Sequence, residues 1–139
     1  MSGSPGKPEG LRLLRGLLAL AILVSIVHYA DNYANYADYP QPTSGPAPSQ
    51  ATVGLSWFVF TAFGLAGLAL YSHGTPGAAA ICLGVYSISG LIGIGHYTVP
   101  GATDMPWWRQ GHVVADILCG IAMFAFAIWA ARRAPSVRS

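Results

Sequence analysis

The sequence predicts an all-α integral membrane protein, built as a bundle of four transmembrane helices. Apolar residues make up 53% of the chain and charged residues only 9%, against roughly 25% charged residues in an ordinary soluble domain. So few charges cannot cover a soluble surface, whereas the apolar core of a bilayer needs none. About 20 apolar residues of helix cross that core. Four stretches of about this length occupy residues 11–30, 51–71, 78–96 and 111–131.

The first span begins at Leu11, and its first turn carries two arginines that can reach the lipid headgroups. Polar residues follow the apolar run at 28–38, where the helix is expected to continue past His28 towards Tyr36. Tyrosines at such a helix end are typical of the membrane interface. The residues after the apolar run make a poor cleavage site, which disfavours a removed signal peptide. An extended loop is predicted next, because four prolines interrupt any helix there: Pro40, Pro42, Pro46 and Pro48.

Spans two and three are predicted to form an antiparallel hairpin, because only the turn at 72–77 separates them. Span two carries Trp57 near one end and Tyr71 at the other, as expected of interfacial aromatic residues. Small residues along both spans would let helices approach closely in lipid. They include Gly64, Gly67, Gly84, Ser87, Gly90 and Gly93. Cys82 and Cys119 belong to no metal or disulfide motif and are expected to act as small hydrophobic residues.

The basic residues predict the orientation of the bundle. Three lie before or in the first turn of the first span and three follow the fourth, so an up-down-up-down arrangement places all six on one side: Lys7, Arg12, Arg15, Arg132, Arg133 and Arg138. Only Arg109, in the loop predicted at 97–110, falls on the other side. The positive-inside rule therefore puts both termini in the cytoplasm. The segments 1–10 and 132–139 are expected to be a disordered tail and a short basic tail.

Three of the four histidines are predicted to lie at one level of the membrane, at the extracytoplasmic ends of the helices. His28 is at the end of span one, His96 ends span three and His112 opens span four, whereas His73 lies in the cytoplasmic turn. Asp116 lies a full turn inside span four, where a carboxylate is costly. It is therefore expected to face the bundle interior, pair with another group and mark a functional site. Because residues four apart share a helix face, His112 is the expected partner on its own helix.

Four uses fit this constellation, and the sequence leaves them open. The first is a metal site, with His28, His96, His112 and Asp116 as ligands of zinc, copper, iron or nickel. The second is acid–base catalysis on a lipid-like substrate, by a histidine that a carboxylate orients. The third is a haem held by two histidines, which would need room for a porphyrin. The fourth is a polar cap that closes the bundle without any chemistry.

The leading hypothesis is a small multi-pass protein of the cell membrane, whose extracytoplasmic site binds a metal ion or a polar ligand. Asp31 and Asn32 are expected beside that site, and Arg109 at its rim. The alternatives are a non-catalytic accessory subunit of a larger membrane complex, a membrane enzyme and a transporter. The expected partners are the lipid bilayer and other membrane subunits or further copies of the chain. A net charge of +2 disfavours nucleic acid, and the preference for Ala, Gly and Arg is typical of a bacterial chain.

Overall fold

The computed structural model describes residues 8–134, and every regular element in that range is helical. Four helices are long and apolar enough to cross a bilayer. The third of them reaches this length because a 3₁₀ segment continues it to Thr98. This confirms the predicted all-α class and its four spans. The α-helices are α1 (Leu11–Ala34), α2 (Gln50–Ser72), α3 (Pro76–Leu91) and α4 (Trp107–Arg132). Three 3₁₀ segments lie between them, at Tyr36–Asp38, Ile92–Thr98 and Ala102–Asp104.

The fourth helix begins earlier than the predicted span, at Trp107, inside the stretch predicted as a loop. The residue before it is Pro106, whose backbone is still extended (φ −51°, ψ 142°). A proline suits this place, because its missing N–H would have no partner inside the helix. Arg109 is therefore a residue of the first turn of α4. The predicted tails fall partly on residues 1–7 and 135–139, which lie outside the described residues.

All four helices contribute to an apolar core, and their outward surfaces are apolar as well. Leu14, Leu83 and Ala130 are completely buried in this core. On the outside, the side chains of Leu55 and Ile81 are 67% and 70% exposed. A soluble monomer rarely exposes a continuous apolar surface, whereas helices that face lipid do so along their length.

The segment just before α1 lies beside the last residues of α2 and α4. The Tyr71 hydroxyl donates a hydrogen bond to the carbonyl oxygen of Glu9, and Arg133 Nη2 lies 3.5 Å from the carboxylate of Glu9. Towards the other end of α1, His28 contacts Asp116 of α4. The histidines and aspartates predicted as a site are therefore gathered at the opposite end of α1 from Glu9.

The helices α3 and α4 pack backbone against backbone beside Asp116. A β-carbon added to Gly90 would overlap the carbonyl oxygen of Asp116 and lie 3.0 Å from the backbone nitrogen of Gly120. One added to Gly120 would lie 2.8 Å from the backbone nitrogen of Leu91. Glycines allow this close approach, as small residues do at helix contacts in membranes. The contact between the two helices therefore fixes where the backbone of Asp116 lies.

Candidate functional site

The centre of the site is a hydrogen-bonded pair formed by His28 of α1 and Asp116 of α4. His28 Nδ1 lies 2.7 Å from Asp116 Oδ2, and both side chains are only 3% exposed. The prediction that Asp116 faces the bundle interior and pairs there is confirmed. The predicted partner on the same helix, His112, is not the one observed. Asp116 pairs across the helix interface instead, because α1 packs against the face of α4 that carries it.

A second carboxylate, that of Asp31, contacts four neighbouring polar side chains. Arg109 Nε donates to Asp31 Oδ2 at 2.9 Å, and the Tyr39 hydroxyl donates to the same oxygen at 2.6 Å. His112 Nε2 lies 3.3 Å from that oxygen, and the Asn35 amide donates to the other carboxylate oxygen. Burial raises the pKa of the Tyr39 phenol, and its hydrogen bond to Asp31 raises that pKa further. Asp31 and Arg109 thus balance each other's charge.

Arg109 lies inside the protein rather than at the rim of the site. Its side chain is only 7% exposed. The guanidinium carbon lies 4.9 Å from the ring centre of Tyr39 and 5.0 Å from that of Trp108, and Nη2 lies 3.6 Å from Asp38 Oδ2. These contacts and the bond with Asp31 surround the guanidinium of Arg109, which therefore forms a structural ion pair.

His96 reaches the same region from the 3₁₀ segment that continues α3. Asn32 Nδ2 lies 3.3 Å from His96 Nε2, and the rings of His96 and His28 have their centres 5.6 Å apart. Gly93 and Gly95 each weaken an α-helix by roughly 1 kcal/mol, which favours a different backbone. A 3₁₀ helix turns about 120° per residue instead of about 100°. His96 comes five residues after the end of α3 at Leu91. Over these residues the difference of about 20° per residue turns the His96 side chain roughly 100° away from its direction in a continuous α-helix.

The structure therefore brings together the three histidines predicted at one level. The ring centres of His96 and His112 each lie 5.6 Å from that of His28. Nevertheless, no group of three or more His, Cys, Asp or Glu side chains among the described residues is placed to hold a metal ion. Asp116 and Asn32 already occupy one ring nitrogen each of His28 and His96. The predicted metal centre at the three histidines and Asp116 thus has no support in this geometry.

Three buried histidine nitrogens in the described part of the chain lack a hydrogen-bond partner: His28 Nε2 and both ring nitrogens of His112. His112 Nε2 has a carboxylate oxygen of Asp31 at 3.3 Å, a polar contact that partly compensates it. His28 Nε2 and His112 Nδ1 receive no such contact from the described residues. Leaving a buried polar group unpaired costs about 1–3 kcal/mol. A water molecule or a ligand would supply the missing partner.

A cavity of about 510 Å³ lies against His28. Asn32 and His96 line it too, and the rest of its wall is mostly apolar and includes the four prolines of the loop between α1 and α2. Its volume is within the range of roughly 300–1,000 Å³ found for small-molecule sites. The histidines could be predicted from the sequence, but the cavity could not. The bond from Tyr39 to Asp31, which fixes the start of this loop, has no signal in the sequence.

Asp116 holds the His28 ring through Nδ1 and leaves Nε2 without a hydrogen-bond partner. His28 lines the cavity, whereas Asp116 does not. A histidine oriented by a carboxylate in this way can bind a ligand or exchange a proton with it. Comparisons with protein families, with curated proteins and with solved structures found no match.

Proposed function

We propose that this is an integral membrane protein that binds a small amphipathic ligand in the cavity beside His28. The observation that carries the proposal is the buried Nε2 of His28, which lacks a partner although its side chain lines an apolar cavity. A polar group of the ligand would bond to Nε2, and an apolar body would fill the remaining space. The polar-cap alternative gives this nitrogen no partner, and the metal alternative lacks a ligand set among the described residues.

For the membrane arrangement we propose an up-down-up-down bundle with both termini in the cytoplasm. Its support is the position of Glu9 beside the ends of α2 and α4, together with the basic residues at the same end. Arg109 is a single basic residue towards the other end and is outnumbered by those at this end. The cavity would then lie near the extracytoplasmic interface. A reporter fused to the C-terminus should be found in the cytoplasm, and a reporter found outside would contradict the arrangement.

The same geometry favours a second function, acid–base catalysis on a lipid-like molecule. The specific observation is the 2.7 Å contact that lets Asp116 orient His28, which is the arrangement of a histidine that transfers protons. Binding beside Nε2 is common to both functions, so it is the step to test first.

A cavity-filling variant tests the binding. Gly95 lines the cavity, and a β-carbon there would meet no atom within 4 Å, so Gly95→Leu would occupy the space without a backbone clash. Gly84→Leu is the matched control, because Gly84 also has open space around it but does not line the cavity. The probes are three neutral molecules with one octyl-type chain: octanophenone, octylbenzene and 2-octylpyrrole. Each is titrated into the protein in detergent micelles while the nitrogen-15 resonances of the histidine rings are recorded.

At least one probe should shift the His28 ring resonances in a saturable way in the wild-type protein and in Gly84→Leu, but not in Gly95→Leu. If every probe leaves the His28 resonances of all three proteins unchanged, the binding proposal is wrong. Elemental analysis of the same samples gives an independent check. A stoichiometric metal ion that depends on His28 would contradict a non-metal ligand.

A further inference from the structure

We infer that the polar group of the ligand is a neutral hydrogen-bond acceptor, a carbonyl oxygen on an apolar body, which accepts a hydrogen bond from His28 Nε2. This inference rests on the proposed function and goes beyond it by naming the chemistry that the cavity recognises. It follows from the way in which His28 and Asp116 share their hydrogens.

Charge balance determines how many hydrogens the His28–Asp116 pair carries. Both side chains are only 3% exposed, and an unbalanced charge is costly in such surroundings. The pair is neutral as an imidazolium with a carboxylate, or as an imidazole with a carboxylic acid. In both forms one hydrogen lies between Nδ1 and Oδ2, and a second hydrogen is on Nε2. Nε2 is therefore a donor, whichever of the two residues holds the shared proton.

His96, which also lines the cavity, carries a second N–H. The amide nitrogen Nδ2 of Asn32 is a donor and lies 3.3 Å from His96 Nε2, so this ring nitrogen accepts. A neutral imidazole carries one hydrogen, which in His96 must then be on Nδ1. A carbonyl oxygen has two lone pairs and can accept hydrogen bonds from both rings.

The phenol groups of the cavity wall donate their hydrogens within the protein and are not available as donors to a ligand. The Tyr29 hydroxyl donates to the carbonyl oxygen of Ser89 at 3.0 Å, and the Tyr36 hydroxyl donates to the carbonyl oxygen of Pro48. The hydroxyls of Ser56 and Thr98, which also line the cavity, donate to backbone carbonyl oxygens. The histidine N–H groups remain as donors for a ligand, and two donors in a mostly apolar wall fit a ligand whose polar atom accepts.

An anionic acceptor fits this cavity less well than a neutral one. Arg109 already faces the carboxylates of Asp31 and Asp38, so its charge is balanced without a ligand. An anion beside a neutral His28–Asp116 pair would be buried without a compensating cation, which is unfavourable in apolar surroundings. This distinguishes a ketone, a quinone or an ester from a fatty acid.

The three probes show whether the cavity of the wild-type protein prefers a ligand with a hydrogen-bond acceptor, one with a donor, or one with neither. Octanophenone and octylbenzene have the same carbon skeleton, but only the ketone has an acceptor, whereas 2-octylpyrrole offers an N–H donor. Octanophenone should bind about tenfold more tightly than octylbenzene, the effect of one well-made hydrogen bond. It should also move the Nε2–H proton resonance of His28 downfield. Affinities are corrected for micelle partition with the Gly95→Leu protein as the baseline.

A substitution of His28 adds a second measurement. His28→Leu should bind octanophenone and octylbenzene equally, whereas His73→Leu, a change in an exposed turn, should keep the preference for the ketone. Equal affinities of the wild-type protein for the three probes, all abolished by Gly95→Leu, would overturn the acceptor inference and leave the proposed function standing. Tightest binding of 2-octylpyrrole would also overturn it. Probe binding that Gly95→Leu does not change would reject the proposed function itself.

Discussion

The contribution of the Asp116 carboxylate to the free energy of unfolding can be measured by removing this group. Asp116→Leu deletes the acceptor that lies 2.7 Å from His28 Nδ1 and leaves this nitrogen buried. A buried polar group without a partner costs about 1–3 kcal/mol, whereas breaking a buried ion pair costs about 3–5 kcal/mol. The lower range applies, because the variant leaves a polar group without a partner rather than an unpaired buried charge. We expect the free energy of unfolding to fall by about 2–3 kcal/mol.

Asp116→Asn separates the hydrogen bond from the charge. The amide keeps the shape of the side chain, and its oxygen can still accept from His28 Nδ1, so the expected loss is only about 1 kcal/mol. Asp104→Asn is the control, since Asp104 is exposed and its change should stay within about 0.5 kcal/mol. Unfolding by a denaturing detergent in mixed micelles, followed by circular dichroism, measures all three variants. The reasoning fails if Asp116→Leu unfolds like the wild type, or if Asp104→Asn is destabilised as much.

Three further predictions concern the surrounding groups, and the same unfolding assay checks them. Gly90→Ala should lose about 1–3 kcal/mol, because its β-carbon would overlap the α4 backbone, whereas Gly84→Ala, with open space around it, should gain roughly 0.5–1 kcal/mol. Burial holds the pKa of Tyr39 above its ordinary value in the folded protein, so only the unfolded chain ionises this phenol just above about pH 10. Stability should therefore fall more steeply from about pH 9 to about pH 11 in the wild type than in Tyr39→Phe. Arg109→Gln should cost about 3 kcal/mol by leaving Asp31 unbalanced, and adding Asp31→Asn should recover part of this loss.

The membrane spans and the role of Asp116 could be predicted because both follow from the chain and the solvent alone. Runs of about 20 apolar residues have few other uses. A carboxylate within such a run must find a partner inside the bundle, whatever the fold. Placing His28, His96 and His112 at one level needed only the order of the spans and the lengths of the helices.

The pairing of the side chains could not be predicted, because it depends on how the helices are rotated against one another. A spacing of four residues made His112 the expected partner of Asp116, but spacing along one helix does not say which face another helix covers. The rotation of His96 by the 3₁₀ segment could not be predicted for a similar reason, since an apolar span predicts an α-helical register through Gly95. The sequence predicts Arg109 in a loop, and its burial depends on where α4 begins.

The 3₁₀ segment Ile92–Thr98 divides the third span into two parts of unequal backbone stability. Its seven residues exceed the three or four of an ordinary 3₁₀ run, and the weaker hydrogen-bond geometry of such a run lowers the cost of opening it. Its amide hydrogens should therefore exchange with deuterium earlier than those of α3, which is held by the contact between Gly90 and Gly120. One wall of the cavity can thus loosen while the helix contact beside Asp116 stays closed. The proposed ligand would then enter and leave on the timescale of this local opening, without separation of the helices.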